Sequence, residues 1–151
     1  MLGHEGLPWD HPGVYAITTT AARADCDLFN HVNNAVYVAW QDRVAWAHST
    51  HLGFPIAAII DLGIGYVVQE NRAQYLRPVQ LGDTLALGTW IIEADQRLRC
   101  VRAFQFIRLS DQKTVFRGQI TYVTFDLKRQ RPSRTPPPLQ HAFQRFKRDP
   151  S

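Results

Sequence analysis

Residues Asp25-Cys26-Asp27-Leu28-Phe29-Asn30-His31-Val32-Asn33-Asn34-Ala35-Val36-Tyr37-Val38-Ala39-Trp40 decide the fold. Asn30 to Asn34 is a polar turn rich in helix-capping side chains. A helix is predicted to follow from about Ala35 to Leu52, with Gly53 as its stop. Ala35 to Trp40 are apolar all round, and a helix with no polar face belongs inside a protein rather than on it. Polar residues return at Gln41, Asp42 and Arg43, where the helix is expected to emerge toward solvent.

Everything around that helix reads as strand. Val14 to Ala24 is rich in Thr, Ile and Tyr. After a short helical stretch over Pro55–Leu62, strands are predicted at Tyr66–Tyr75, Thr84–Glu93, Leu98–Leu109 and Val115–Leu127. Arg77-Pro78, Gly82-Asp83, Ala94-Asp95-Gln96 and Ser110-Asp111-Gln112 supply the turns between them. Short turns favour antiparallel neighbours. The prediction is an α+β fold: a curved five-stranded antiparallel sheet wrapped around one long central helix. Residues 128–138, with Pro132 and Pro136-Pro137-Pro138, should be extended, and Leu139–Phe146 could form a last amphipathic helix.

The chain has 151 residues, enough for one domain and one core. The expected organisation is an irregular segment over 1–13, a domain over 14–130 and a basic, proline-rich tail over 131–151. No apolar run approaches the ~20 residues of a membrane span. The first residues lack the basic start and apolar centre of a signal peptide. Two cysteines build neither a disulfide framework nor a zinc site, so a reducing cytoplasm is the default location. The net charge of +4 is uneven, since residues 1–127 hold 10 Lys/Arg against 12 Asp/Glu and residues 128–151 hold 7 against 1. That tail could bind phosphates, attract an acidic protein or anionic surface, or simply be solvated. Without an aromatic platform or zinc spacing, nucleic acid is not an expected partner.

Asp25-Cys26-Asp27 with His31-Val32-Asn33-Asn34, Tyr37 and Trp40 resembles the 4-hydroxybenzoyl-CoA thioesterase-like branch of the hotdog-fold family. Tyr75-Leu76-Arg77-Pro78 with Leu81-Gly82-Asp83, and Gly118 to Asp126, are similar to further strands of that family. Together these motifs span about residues 14–130. The chain departs from the pattern with Asn30 in place of glycine, Asp42 in place of glutamate and Ala45 in place of arginine. Asparagine tolerates a positive φ, so the turn at residue 30 can survive.

The resemblance implies hydrolysis of an acyl thioester on coenzyme A or an acyl carrier protein. It also implies a dimer made by joining two sheets, often paired into a tetramer, with sites at the subunit interface. Asp27 matches the family's catalytic carboxylate and would act as nucleophile or general base. The Asn34 backbone N–H, a free donor of the first helical turn, would polarise the carbonyl oxygen; such donors are worth roughly 10²–10³ in rate. His31, Asn33, Tyr37 and Trp40 are candidate substrate contacts. Arg72, Arg77, Lys128 and Arg129 are candidate phosphate contacts. No metal or organic cofactor is needed beyond the coenzyme A of the substrate. Cys26, between two carboxylates, is a poor nucleophile candidate. A non-catalytic acyl-thioester binder and an enoyl-thioester hydratase are the rival readings.

Overall fold

The computed structural model describes residues 4–95 and 97–148, with side chains as far as residue 143. The elements run β1 (Tyr15–Thr20), a 3₁₀ turn (Arg23–Asp25), α1 (Asn34–His51), α2 (Ile56–Asp61), β2 (Ile64–Tyr75), β3 (Thr84–Ala94), β4 (Arg99–Arg108), β5 (Lys113–Asp126), β6 (Arg131–Pro132) and α3 (Pro137–Arg148). The five long strands form one antiparallel sheet in the order β1-β3-β4-β5-β2, and the two-residue β6 pairs with β5. β2 is therefore an edge strand, paired along its length only with β5, from Ile64 opposite Asp126 to Tyr75 opposite Phe116. This is the hotdog architecture, and the predicted strands and α1 differ from it by only a few residues at their ends.

α1 packs against one face of the sheet. It starts where the Asn33 side chain accepts from the Ala35 N–H at 3.0 Å and ends before Gly53, which has φ 92°. Its buried stripe is Tyr37, Trp40, Gln41, Val44 and His48. This corrects two expectations. The first turns are not enclosed on all sides, since Ala35 and Ala39 are exposed and Val38 is 50% exposed. The helix does surface at Asp42 and Arg43, but Gln41 is 0% exposed and paired with Asn71 of β2. The i, i+3, i+4, i+7 spacing decides which side faces the sheet, and it carries Gln41 inward with Tyr37 and Val44.

Two clusters form the interior. The larger joins Tyr37, Trp40 and Val44 of α1 to Leu85, Leu87, Phe104, Phe106, Phe116 and Ile120 of the sheet. The smaller joins Ile59 of α2, Ile64 of β2, Ile91 of β3 and Cys100 of β4 to Leu139 and Phe143 of α3. The tail is thus packed at least as far as Phe143. Thr135 anchors it, donating its N–H to the Arg97 carbonyl at 2.7 Å and sharing a hydroxyl contact with Thr124 at 3.0 Å.

The opposite face is covered by the N-terminal segment. The Trp9 ring sits where a Cβ on Gly88 would lie, so only glycine fits that strand position. Asp10 pairs with Arg117 at 2.7 Å and its N–H donates to the buried Gln105 Oε1 at 2.8 Å. His11 stacks on Trp90. Central strands β3 and β4 are consequently buried on both faces. Among the described residues, no helix is long and apolar enough to cross a membrane.

Candidate active site

The stretch from Asp25 to Asn34 folds into a loop whose own hydrogen bonds fix it. The Asp27 N–H donates to the His31 carbonyl at 2.8 Å. Asp27 Oδ1 accepts from the Phe29 N–H at 2.8 Å and from the His31 N–H at 3.2 Å. Among the described residues, nothing donates to Oδ2, so one carboxylate oxygen is engaged in the loop and the other is open. Asn30 makes the turn possible with φ 59°, the conformation expected from its place in the sequence. Its side-chain oxygen accepts from Arg23 Nη1 at 2.8 Å. Asp25 has a holding role, accepting the Ala22 N–H at 2.8 Å on Oδ2 and the Asn33 N–H at 2.9 Å on its carbonyl.

This loop feeds directly into α1. Asn33 is the N-cap and spends its side chain on Ala35. The Asn34 N–H has no acceptor among the described residues, as the first turn of a helix requires. Asp27 and the Asn34 N–H thus belong to one continuous loop that leads into the helix. Leu28 and Phe29, at the tip of the loop, are 101% and 81% exposed.

The other candidates divide. His31 is half-buried and bridges to Gln80, within the loop's neighbourhood. Tyr37 and Trp40 lie deeper. They are 3% and 4% exposed and lie in the core, where Tyr37 packs against Trp40, Tyr75, Phe106 and Phe116. The helical stripe that buries Gln41 buries them too. Arg72 is exposed and paired with Glu70 at 2.7 Å. Arg77 Nη1 donates to the Thr114 carbonyl at 2.7 Å. Lys128 and Arg129 stand on the turn after β5, their backbone N–H groups held by Asp126 Oδ1 at 2.9 and 2.8 Å, with exposed side chains.

A second feature was not singled out by the sequence. A cavity of about 110 Å³ lies between α1 and the sheet, lined by Asp42, Trp46, Ser49, Tyr66, Arg102 and Tyr122 among others. Arg102, on β4, is 5% exposed. Its Nη1 donates to His48 Nδ1 at 2.7 Å and to Thr89 Oγ1 at 3.5 Å. The Thr89 hydroxyl in turn donates a hydrogen bond to the Ala103 carbonyl at 2.9 Å. Burial foremost, then Arg102 and His51, push the His48 pKa down to about 3. Burial also pushes the Cys100 thiol up to about 11, which keeps it protonated and inert at neutral pH.

Residues 22–143 match the model of the thioesterase-like superfamily. The chain belongs to that superfamily. Among solved structures, this thioesterase-like chain is similar to a DHNA-CoA thioesterase from Staphylococcus aureus, with TM-score 0.83 and 17% identity over 89% of this chain and 91% of that one. It is similar to a gentisyl-coenzyme A thioesterase, with TM-score 0.74 and 23% identity over 86% and 98%. A third, a Staphylococcus aureus protein solved in complex with CoA, has TM-score 0.78 and 17% identity over 89% and 82%. At these identities the structural likeness speaks to the fold, and the superfamily assignment rests on the sequence match.

Proposed function

We propose that this thioesterase-like chain hydrolyses an acyl thioester of coenzyme A, or of an acyl carrier protein, to the free acid and thiol. The observation that carries the reading is the Asp27 carboxylate, held by the Phe29 and His31 N–H groups with Oδ2 open, at the same junction as the unoccupied Asn34 N–H. Asp27 Oδ2 attacks the carbonyl carbon, or takes a proton from a water that does so. The carbonyl oxygen gathers negative charge and receives the Asn34 N–H, with the helix dipole behind it. The C–S bond breaks, and the thiolate leaves and is protonated. In the nucleophilic route a water then cleaves the acyl–Asp27 anhydride. His31 and Asn33 flank the substrate, and Lys128 and Arg129 are the free side chains for the coenzyme's phosphates. No further cofactor is invoked, and the working compartment is the cytoplasm.

The working unit in this proposal is a dimer, or a pair of dimers, with the site between subunits. A twelve-residue edge strand with Val67 and Val68 exposed, and Val38 exposed on α1 beside it, supports this reading. An uncovered strand of that length is a template for another strand, and a second copy offers the same edge. Light scattering at micromolar concentration should give at least twice the 17.3 kDa chain mass; a monomer would overturn the shared site.

The test of chemistry is thiol release from short, medium and long fatty acyl-CoAs and from benzoyl-type and bicyclic aromatic acyl-CoAs. Asp27→Asn should lose the activity of whichever substrate turns over. Binding without turnover across acyl-CoA and acyl-carrier-protein substrates would make the chain a non-catalytic acyl-thioester binder. Turnover that survives the substitution would remove Asp27 from the chemistry.

A further inference from the structure

Among the described residues, Arg102 is a buried cation with no anion paired to it. None of the ion pairs among the described residues includes it, and its two hydrogen-bond partners, His48 and Thr89, are both neutral. An arginine has only donors, so His48 Nδ1 must accept, which places the imidazole's proton on Nε2 and leaves the ring uncharged. Burying a guanidinium this way is costly, and a Leu or Met would fill the same volume without the cost. The side chain lines the cavity between α1 and the sheet, whose walls include Trp46, Tyr122 and Phe143. Tyr66 lines the same cavity, and its hydroxyl oxygen is buried with no hydrogen-bond partner. Arg102 and the unpartnered Tyr66 hydroxyl thus border one small space, and Arg102 carries a full positive charge.

We propose that this cavity binds the carboxylate end of an organic acid. Arg102 is the charged donor, Tyr66 Oη the second, and the acid's apolar portion lies among Trp46, Tyr122 and Phe143. A cavity of about 150 Å³ holds benzene, so about 110 Å³ takes the carboxylate and a few carbons. A longer body leaves by the mouth, where Asp42 and Val68 are the exposed lining residues. The same carboxylate can come from two sources: a free acid, or the far end of a dicarboxylic acyl group whose thioester is elsewhere. The proposal concerns binding and does not depend on the hydrolytic reading.

The probes are valerate and benzoate against the neutral valeramide and benzamide, followed by calorimetry and by intrinsic tryptophan fluorescence, to which Trp46 in the cavity wall contributes. The acids should bind at least about tenfold more tightly than their amides, as charge-assisted bonds to a desolvated guanidinium require. Arg102→Gln should abolish that preference, and Tyr66→Phe should weaken acid binding by roughly three- to tenfold. Asp42→Asn, at an exposed position, should strengthen it by roughly two- to fivefold by removing a like charge at the mouth. Should Arg102→Gln fail to fold, the other two variants still decide.

Equal binding of acid and amide, no binding of either at millimolar concentration, or weaker acid binding in Asp42→Asn would overturn the proposal. Glutaryl-CoA and valeryl-CoA, compared by calorimetry on Asp27→Asn protein, separate the sources. A glutaryl preference that Arg102→Gln removes assigns the carboxylate to the acyl group. Valerate binding that leaves both CoA affinities unchanged assigns the site to a free acid.

Discussion

Gln41 and Asn71 hold each other by both ends of their amides: Asn71 Nδ2 donates to Gln41 Oε1 at 3.0 Å, and Gln41 Nε2 donates to Asn71 Oδ1 at 3.4 Å. The pair ties the central helix to the edge strand. Asn71→Ala leaves a fully buried amide unpaired and should destabilise the fold by about 1–3 kcal/mol in urea unfolding. Adding Gln41→Leu should recover much of the loss, because an apolar side chain of similar size asks for no partner. Equal destabilisation by single and double variants would show the amide pair to be incidental.

Gly118 lies under the same amide. A Cβ there would stand 2.5 Å from Gln41 Nε2 and 2.9 Å from the Phe116 ring. Gly118→Ala should therefore cost about 1–3 kcal/mol by overpacking, with the tyrosine-rich near-ultraviolet signal changed. A neutral effect would mean that α1 can lift from β5 at no penalty.

Asp27 separates structure from chemistry by choice of substitution. Asparagine keeps an oxygen to accept the Phe29 and His31 N–H groups, whereas alanine removes it. Asp27→Asn should keep its thermal midpoint, and Asp27→Ala should lose about 1 kcal/mol. Both should fall at least about 100-fold in kcat if the carboxylate reacts. A loss confined to the alanine variant would make Asp27 a loop-holding residue only.

The loop, the helix and the strands were legible in the sequence because each carries local chemistry: a cap at Asn33, a left-handed residue at Asn30, a stop at Gly53, turns between apolar runs. Which side of α1 faces inward was not, since Ala35 to Trp40 offer no polar stripe and Gln41 looks like a surface residue. The same inward side carries Tyr37 and Trp40 into the core. Arg102 was hidden because Cys100 to Ile107 are all buried, so alternation gives no sign of which residues face the helix. Gly88 in mid-strand was the available signal that something, here Trp9, approaches closely.

His48 makes stability depend on pH. Its ordinary pKa of 6.5 falls to about 3 in the folded protein. Between those values the unfolded chain binds a proton that the native protein does not, so stability drops as pH falls below about 6.5 and levels near 3. The slope from this group is at most one proton, about 1.4 kcal/mol per pH unit. His48→Gln should flatten that part of a stability–pH curve. An unchanged slope would place the protonation elsewhere.

Leu139 is 1% exposed and packs with Ile59, Ile64, Ile91 and Cys100. Leu139→Ala should cost about 2–4 kcal/mol in chemical unfolding. A negligible cost would mean that α3 is a removable cover.

The antiparallel partner of β2 is β5, with β3 and β4 nested between them in sequence, so the edge strand is secured only by closing a long loop. During synthesis, Ile64 to Tyr75 leave the ribosome well before Phe116 to Asp126 exist to hold them. Pairings this far apart in sequence form late and slowly. The exposed Val67–Val68 edge is then a folding hazard before it is a finished surface, open to any neighbouring strand while it waits for β5. If subunits join through that edge, as proposed, they can do so only after β5 has been made, so assembly would follow sheet closure, and growth at lower temperature or slower expression is the natural remedy if the chain aggregates.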